Sequence, residues 1–270
     1  MTLRLWSYSM KSTIARTIAH RLGGLMIKHA RSTYRYTPGD IIVNWGASSV
    51  PSAFPVSLNQ PEAVSVCCSK IRSYTALAAR GVPTCEWTTS AAVARSWSSS
   101  RHRVYARSRD SGARGQGISV IQPGMSWDEQ MANALATGDI RFFTKGIDNE
   151  REFRVYVVGG SITSVLEKRR REGTNPSGDV RSHGDWVFAR TLRSPVPDSL
   201  LQYSKEAVNA LGLDFGGVDI CLDRASGAPV VLEVNSAPGL DAPTSQTEFV
   251  EGLARLIKER FNVTIQPDAR

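Results

Sequence analysis

Gly216-Gly217-Val218-Asp219-Ile220-Cys221-Leu222-Asp223, followed by Val230-Val231-Leu232-Glu233-Val234-Asn235-Ser236-Ala237-Pro238-Gly239, is the stretch whose reading decides the fold. It reads as two strands joined by a turn over Asp223 to Ala228. Apolar residues alternate with Asp219 on the first strand and with Glu233 and Asn235 on the second, so the three polar side chains are expected on one sheet face. Three oxygen donors there suit a hard divalent cation such as Mg²⁺, above all one that also takes oxygens from a nucleotide phosphate. The expectation is a Mg-ATP site. The rest of the chain must then supply a phosphate loop, a basic clamp and a substrate pocket.

The chain of 270 residues is long enough for one large domain or for two or three packed subdomains. Its hydrophobic fraction of 41% and charged fraction of 21% are those of an ordinary globular protein. No apolar run reaches the roughly 20 residues that span a bilayer. Met1 to Met10 lacks a basic segment followed by an apolar one, so secretion is not expected. Cys67, Cys68, Cys85 and Cys221 form no CxxC pair and have no histidine cluster beside them; reduced thiols in a cytoplasmic protein are expected. The net charge of +8 fits nucleic acid, but equally nucleotide phosphates and an acidic substrate. Much of it lies in Arg101 to Arg114 and Lys168 to Arg171, beside the candidate site segments, which favours phosphate and carboxylate over a general nucleic-acid surface.

Before the hairpin the chain divides into recognisable pieces. Leu3 to Tyr8, Leu25 to His29 and Asp40 to Asn44 read as strands, and Ser12 to Leu22 as a helix capped by Ser12 and stopped by Gly23-Gly24. Gly46 to Ser49 follows a strand, where either an ordinary turn or a ligand-binding loop is expected. Pro61 to Arg80 reads as one or two helices. Ser108 to Ile118 holds three glycines and, with Arg107 just before it, three nearby arginines, and reads as a flexible cationic loop whose amides could approach phosphate oxygens or as a surface turn. Ile140 to Gly146 and Glu152 to Gly160 read as strands, with Glu152 and Arg154 on one face. A long polar segment runs from Lys168 to Asp185. Asp198 to Leu211 and Thr244 to Arg260 read as helices.

Taken in order, four blocks resemble the ATP-grasp superfamily of carboxylate–amine ligases, most of all its phage-type branch and more distantly the ribosomal-protein glutamate ligases. They are Ser69-Lys70 through Gly81-Val82-Pro83, Val104 to Ile118, Glu152-Phe153-Arg154-Val155, and Asp219 with Glu233 to Gly239. Two positions depart from the family pattern. Ser69 stands where the family has Asp, and Arg107 (or Arg109, if the loop aligns otherwise) where it has an ATP-contacting Lys.

The resemblance implies an α+β ATP-grasp fold, two subdomains clasping ATP, preceded by a small α/β domain. The expected boundaries are 1–60, 61–140 with the glycine-rich loop, and 141–270 with the metal site. It also implies an ATP-dependent ligase that makes an amide bond through an acyl phosphate and releases ADP and phosphate. An ATP-grasp phosphotransferase and a non-catalytic nucleotide- or nucleic-acid-binding protein are the alternatives. Asp219, Glu233 and Asn235 are expected to hold one or two Mg²⁺ ions, with Mn²⁺ as a substitute. Lys70, Arg107, Ser111, Gly112, Gly115, Gly117 and Lys145 are expected to contact ATP. Arg154, Arg169 and Arg181 are expected to hold the carboxylate substrate or the transferring phosphate. The implied partners are ATP, a carboxylate and an amine (an amino acid or peptide), without membrane or nucleic acid. A homodimer is compatible with the family.

Overall fold

The computed structural model describes residues 2–111, 116–174, 185–190, 192, 194–240 and 242–267. Three sheets are built in chain order. In the first, β1 (Leu3–Ser7) lies between β2 (Leu25–Met26) and β3 (Ile41–Trp45), all parallel. Both faces are buried, as a parallel sheet requires. Leu3, Leu5, Val43 and Trp45 face helix α1 (Thr13–Arg21) and the C-terminal helix α7 (Pro243–Phe261). Trp6 and Ile42 pack on the opposite side with Ile27 and Phe54. Ser12 caps α1, accepting from the Ala15 N–H at 3.2 Å, and Gly23 takes φ +67° just past the helix end. The strand expected over Leu25 to His29 is shorter because His29 instead turns its ring onto Trp6, with Nε2 2.7 Å from the Ser7 carbonyl oxygen.

The first unit is bolted to the rest by polar contacts. Asn59 Nδ2 donates to the Phe215 carbonyl at 3.1 Å, and its Oδ1 accepts from the Asp214 N–H at 2.7 Å. Buried Arg21 donates to Thr247 on α7 at 3.1 Å.

Pro61 to Arg80 forms two helices, α2 (Pro61–Cys68) and α3 (Lys70–Ala79), broken at Ser69, whose ψ of 117° is extended. The second sheet has the order β4 (Trp87–Thr88), β7 (Phe142–Lys145), β5 (Val104–Arg107), β6 (Ile118–Ile121), antiparallel throughout. Helices α4 (Ala91–Ser99) and α5 (Trp127–Ala136) cover it through Ala94, Val104, Ala106, Ala134 and Phe143. The segment that forms α5 was not assigned from sequence, although Ser126 caps it and Asp128 and Glu129 occupy its first turn.

The third sheet runs β10 (Trp186–Ala189), β9 (Ser161–Arg170), β8 (Asn149–Val158), β11 (Phe215–Asp223), β12 (Pro229–Asn235) and is fully antiparallel. One face is apolar. Phe153, Val155, Val218, Ile220 and Val231 pack on helix α6 (Asp198–Ala210) and on α2 and α3. At one end of the other face, Tyr156 and Phe215 meet Phe249 of α7. The remainder of that face is polar and carries the site.

The last strand is tied down along its outer edge. The Val231 N–H donates to the Pro83 carbonyl at 2.8 Å, and the Thr84 hydroxyl donates to the Val231 carbonyl at 3.0 Å. The Tyr74 hydroxyl donates to the Leu232 carbonyl at 3.2 Å, and the Cys67 thiol to the Val234 carbonyl at 3.0 Å. The four cysteines are free thiols; Cys67, Cys85 and Cys221 are buried and Cys68 is exposed. Among the described residues no helix is long and apolar enough to cross a membrane.

Candidate active site

Strand register brings the three oxygen donors together. Asp219 is directly opposite Glu233 on β12 and opposite Arg154 on β8, while Asn235 faces Gly217. Alternation along β12 is interrupted between Glu233 and Val231, because Asp219 pairs with Glu233 but Ile220 pairs with Val231. Leu232 is thus the extra residue of a bulge. Strict alternation would put Val231 and Glu233 on one face. The bulge leaves Val231 in the apolar core with Ile220 and turns Glu233 to the polar face with Asp219.

Each carboxylate is held by a cation. The Arg154 guanidinium makes a two-pronged pair with Asp219, both bonds 2.7 Å, and both side chains are buried. Lys70 Nζ donates to Glu233 Oε2 at 2.8 Å, and Asn235 Nδ2 donates to Glu233 Oε1 at 3.2 Å. Burial disfavours the charged form of Glu233, but Lys70 and Asn235 outweigh it and hold its carboxyl down at about 2. For Asp219 the balance falls the other way. Burial, reinforced by the Glu233 and Glu152 carboxylates, exceeds the pull of Arg154 and raises its carboxyl to about 6.

The donor chemistry fits a hard cation: two carboxylates and an amide on one face, with Glu233 37% exposed toward a cavity of about 360 Å³. Among the described residues no three His, Cys, Asp or Glu side chains group to hold an ion. Glu233 and Asn235 line the cavity directly, whereas both Asp219 oxygens are engaged by Arg154.

Lys70 and Ser111 line the same cavity. Tyr8 and Gly46, from the C-terminal ends of β1 and β3, form its far side. Gly46 has φ +76°, and a Cβ there would fall 2.6 Å from that of Ala237. Only glycine lets the first sheet come this close to the end of β12. The loop at Gly46 is therefore part of the site wall rather than an ordinary turn.

Arg107 Nε donates to Thr144 at 3.2 Å and its guanidinium lies 5.8 Å from the Phe142 ring centre. Gly117 closes the β5–β6 hairpin with φ +71°, its carbonyl accepting from the Ser108 N–H at 2.9 Å. Lys145 pairs with Glu86 at 2.7 Å on the second sheet. Arg169 is not brought to the trio. It follows Lys168 on β9 and falls on the opposite face, its guanidinium 3.8 Å from buried Glu167. Lys168 takes the site face instead, bound to Glu152 at 2.7 Å. Phe188 roofs this row, 4.4 Å from the Arg154 guanidinium and 5.5 Å from Lys168 Nζ. Gly112, Gly115 and Arg181 lie outside the described residues.

The structure also accounts for Ser69. Asp110, at the end of the β5 segment, takes a hydrogen bond from the Ser69 hydroxyl and accepts from the Ile71 N–H at 2.9 Å, while its carbonyl accepts from the Lys70 N–H at 2.9 Å. The carboxylate that Ser69 lacks is thus supplied from the hairpin, on the first turn of the helix that carries Lys70. No local signal marks Asp110 in the sequence. Asp110→Ala is expected to cost about 1–2 kcal/mol, the worth of a helix cap, measured as a lower urea midpoint at unchanged slope. A loss below about 0.3 kcal/mol would show the contact to be incidental.

The architecture is that of the ATP-grasp fold. VanG D-Ala:D-Ser ligase of Enterococcus faecalis superposes with a TM-score of 0.69 over 95% of this chain and 98% of its own, at 14% identity. D-alanyl-alanine synthetase A of Vibrio cholerae gives 0.67 over 97% and 99%, at 15% identity, and the ATP-grasp ligase PsnB 0.64 over 98% and 95%, at 15% identity. In sequence, the chain is 32% identical over 140 residues to a probable alpha-L-glutamate ligase of Parasynechococcus marenigrum, covering 50% of this chain and 28% of that protein. It is 31% identical over 115 residues to the ribosomal protein bS6–L-glutamate ligase of Shigella boydii, covering 42% and 35%. These matches span 28% and 35% of the curated relatives' lengths. No family model matches the chain.

Proposed function

We propose that the chain is an ATP-dependent carboxylate–amine ligase that joins its substrates through an acyl phosphate. The observation that carries this reading is the convergence of Asp219, Glu233 and Asn235 on one face of an ATP-grasp fold, with Lys70 on Glu233. The names of its sequence relatives favour a ligase over a phosphotransferase. In this reading the substrate carboxylate attacks the γ-phosphate, ADP leaves, and an amine then displaces phosphate to form the amide. Asp219, Glu233 and Asn235 would hold one or two Mg²⁺ ions, or Mn²⁺ in substitution, which when bound supply positive charge to the β- and γ-phosphates. Phosphoryl transfer asks the protein mainly for positioning and charge neutralisation. Lys70 and Arg107 neutralise phosphate oxygens, and the amides around Ser111 and Gly117 approach them closely. Arg154 orients Asp219 through its two-pronged pair, and Lys168 holds Glu152 by an ion pair. Lys145 and Glu86 mark the strand on which the nucleoside rests. Residues 1–60, 61–140 and 141–270 are the working units, with α2 and α3 packed against β12 across the second boundary. Cytoplasmic ATP and a reducing setting for four free thiols belong to the same reading.

The test is a screen of amino acids and peptides, in pairs, for stimulated ADP release with Mg-ATP, the joined product being identified by mass. A phosphorylated product with no amine consumed would replace the ligase with a phosphotransferase. Within the same assay Arg107→Ala is expected to raise the KM for ATP by about 10–100-fold, the worth of one charge-assisted hydrogen bond. Arg101→Ala, in the exposed turn after α4, should leave it unchanged. Equal losses would mean that another cation grips the phosphates.

A further inference from the structure

Two asparagines stand out against their surroundings. Asn44 interrupts an apolar run on β3, with Ile41-Ile42-Val43 before it and Trp45 after it, and Asn59 directly follows Leu58; both are fully buried. A buried strand of a parallel sheet ordinarily carries valine, isoleucine or leucine, and an amide there is costly unless its polar atoms are bonded. Each side-chain oxygen and nitrogen of the two is bonded. Asn44 Nδ2 donates to the Ala47 carbonyl at 2.8 Å and to the Asn59 carbonyl at 2.9 Å, while its Oδ1 accepts from the Ala47 N–H at 2.9 Å. Asn59 Oδ1 accepts from the Asp214 and Phe215 N–H groups at 2.7 and 3.2 Å, and its Nδ2 donates to the Phe215 carbonyl at 3.1 Å. Asn59 holds φ +57°, a conformation that asparagine tolerates better than most residues.

In series these bonds make one chain, from Ala47 through Asn44 and Asn59 to Phe215, the first residue of β11. Ala47 lies two residues past the end of β3, where a loop amide and carbonyl must find partners off the strand ladder. One carboxamide supplies both. Gly46, next to it, is the cavity wall: a Cβ there would fall 2.6 Å from that of Ala237 and 3.3 Å from Tyr8 Cδ1. At the other end of the chain, Phe215 begins the strand that carries Asp219 four residues on. An apolar path runs alongside, since Trp45 stacks on Phe215 with ring centres 5.6 Å apart. Stacked rings resist separation but can slide; hydrogen bonds are directional and fix the register.

We infer that Asn44 and Asn59 are positioning residues, which hold the Gly46–Ala47 wall at a set distance from the β11–β12 hairpin and so set the width of the far side of the cavity. That this side receives the reactant other than ATP rests on the ligase reading; the anchoring of the wall does not. A misplacement of about 1 Å in a reactant can cost about 100-fold in rate. Apolar side chains at both positions would leave the Ala47 N–H and carbonyl unpaired and the wall unanchored.

The experiment is amide hydrogen exchange on the full chain without nucleotide, followed residue by residue by NMR. In the wild type the Ala47 N–H, although in a loop, is expected to exchange within about tenfold of the Asn44 N–H, which donates to the Leu58 carbonyl at 3.0 Å. Exchange at the rate of an open loop overturns the proposal whatever the variants do. Asn44→Ala should speed Ala47 exchange at least about 100-fold more than that of β1 and β11. Asn59→Gly, which keeps the positive φ and removes the amide, should do the same by at least about tenfold. Ile42→Ala, on the same strand but outside the chain of bonds, controls for lost stability: it should speed exchange across the first sheet without singling out Ala47. The same pattern from Ile42→Ala and Asn44→Ala would reduce the amide to a structural role and end the proposal. With a pair found active in the ADP-release screen, both asparagine variants should raise the KM for the carboxylate or the amine at least about tenfold and that for ATP less than about threefold. Equal rises would overturn the assignment of the wall. The exchange pattern without ADP release from any pair would remove the ligase reading and leave the anchored wall standing.

Discussion

Glu233→Gln is expected to lower Mg-ATP turnover by at least about 10³-fold, equivalent to roughly 4 kcal/mol of barrier. The amide is the same size as the carboxylate and keeps an oxygen for Lys70 and Asn235, so the fold should survive. What it loses is the charge. Glu233 is the carboxylate of the trio that lines the cavity, and Lys70 and Asn235 hold its carboxyl down at about 2. With glutamine there, Lys70 stands beside the proposed metal position with no anion to balance it. Steady-state ADP release alongside a thermal melt separates the two effects. Turnover within tenfold of wild type, in a variant that melts normally, would end the metal assignment.

Arg154→Met is expected to lose about 3–5 kcal/mol of stability, the cost of leaving a buried carboxylate without its partner. Asp219 is buried with Glu233 and Glu152 near it, and among the described residues the Arg154 fork is its strong cationic neighbour. Urea denaturation at neutral pH reads the loss. Adding Asp219→Leu to Arg154→Met should recover much of it, because a buried pair replaced as a whole by apolar groups is close to neutral. The double variant should still be inactive. A single-variant loss below about 1 kcal/mol would mean that the pair is solvated and contributes little.

The β11–β12 hairpin was legible because period-2 alternation and residue type pointed the same way. Asp219, Glu233 and Asn235 share a face as expected. What alternation hides is the bulge at Leu232, since Val230-Val231-Leu232 is uniformly apolar and marks no break in register. Arg169 was misplaced for a related reason. In Lys168-Arg169-Arg170 every residue carries the same charge, so composition does not say which side chain faces the cleft; the strand register selects Lys168. Asp110 was invisible because its role depends on a contact 39 and 41 residues away in sequence. Gly46 was readable only as a choice between an ordinary turn and a ligand-binding loop, because its close approach to Ala237 is a tertiary contact.

The contacts along the outer side of β12 have a consequence for behaviour in solution. A terminal sheet strand with open backbone groups is a template for strands of other molecules. Here the Val231 N–H and the carbonyls of Val231, Leu232 and Val234 are already engaged by Pro83, Thr84, Tyr74 and Cys67. The strand that carries Glu233 and Asn235 therefore offers fewer open backbone groups to a strand of another molecule.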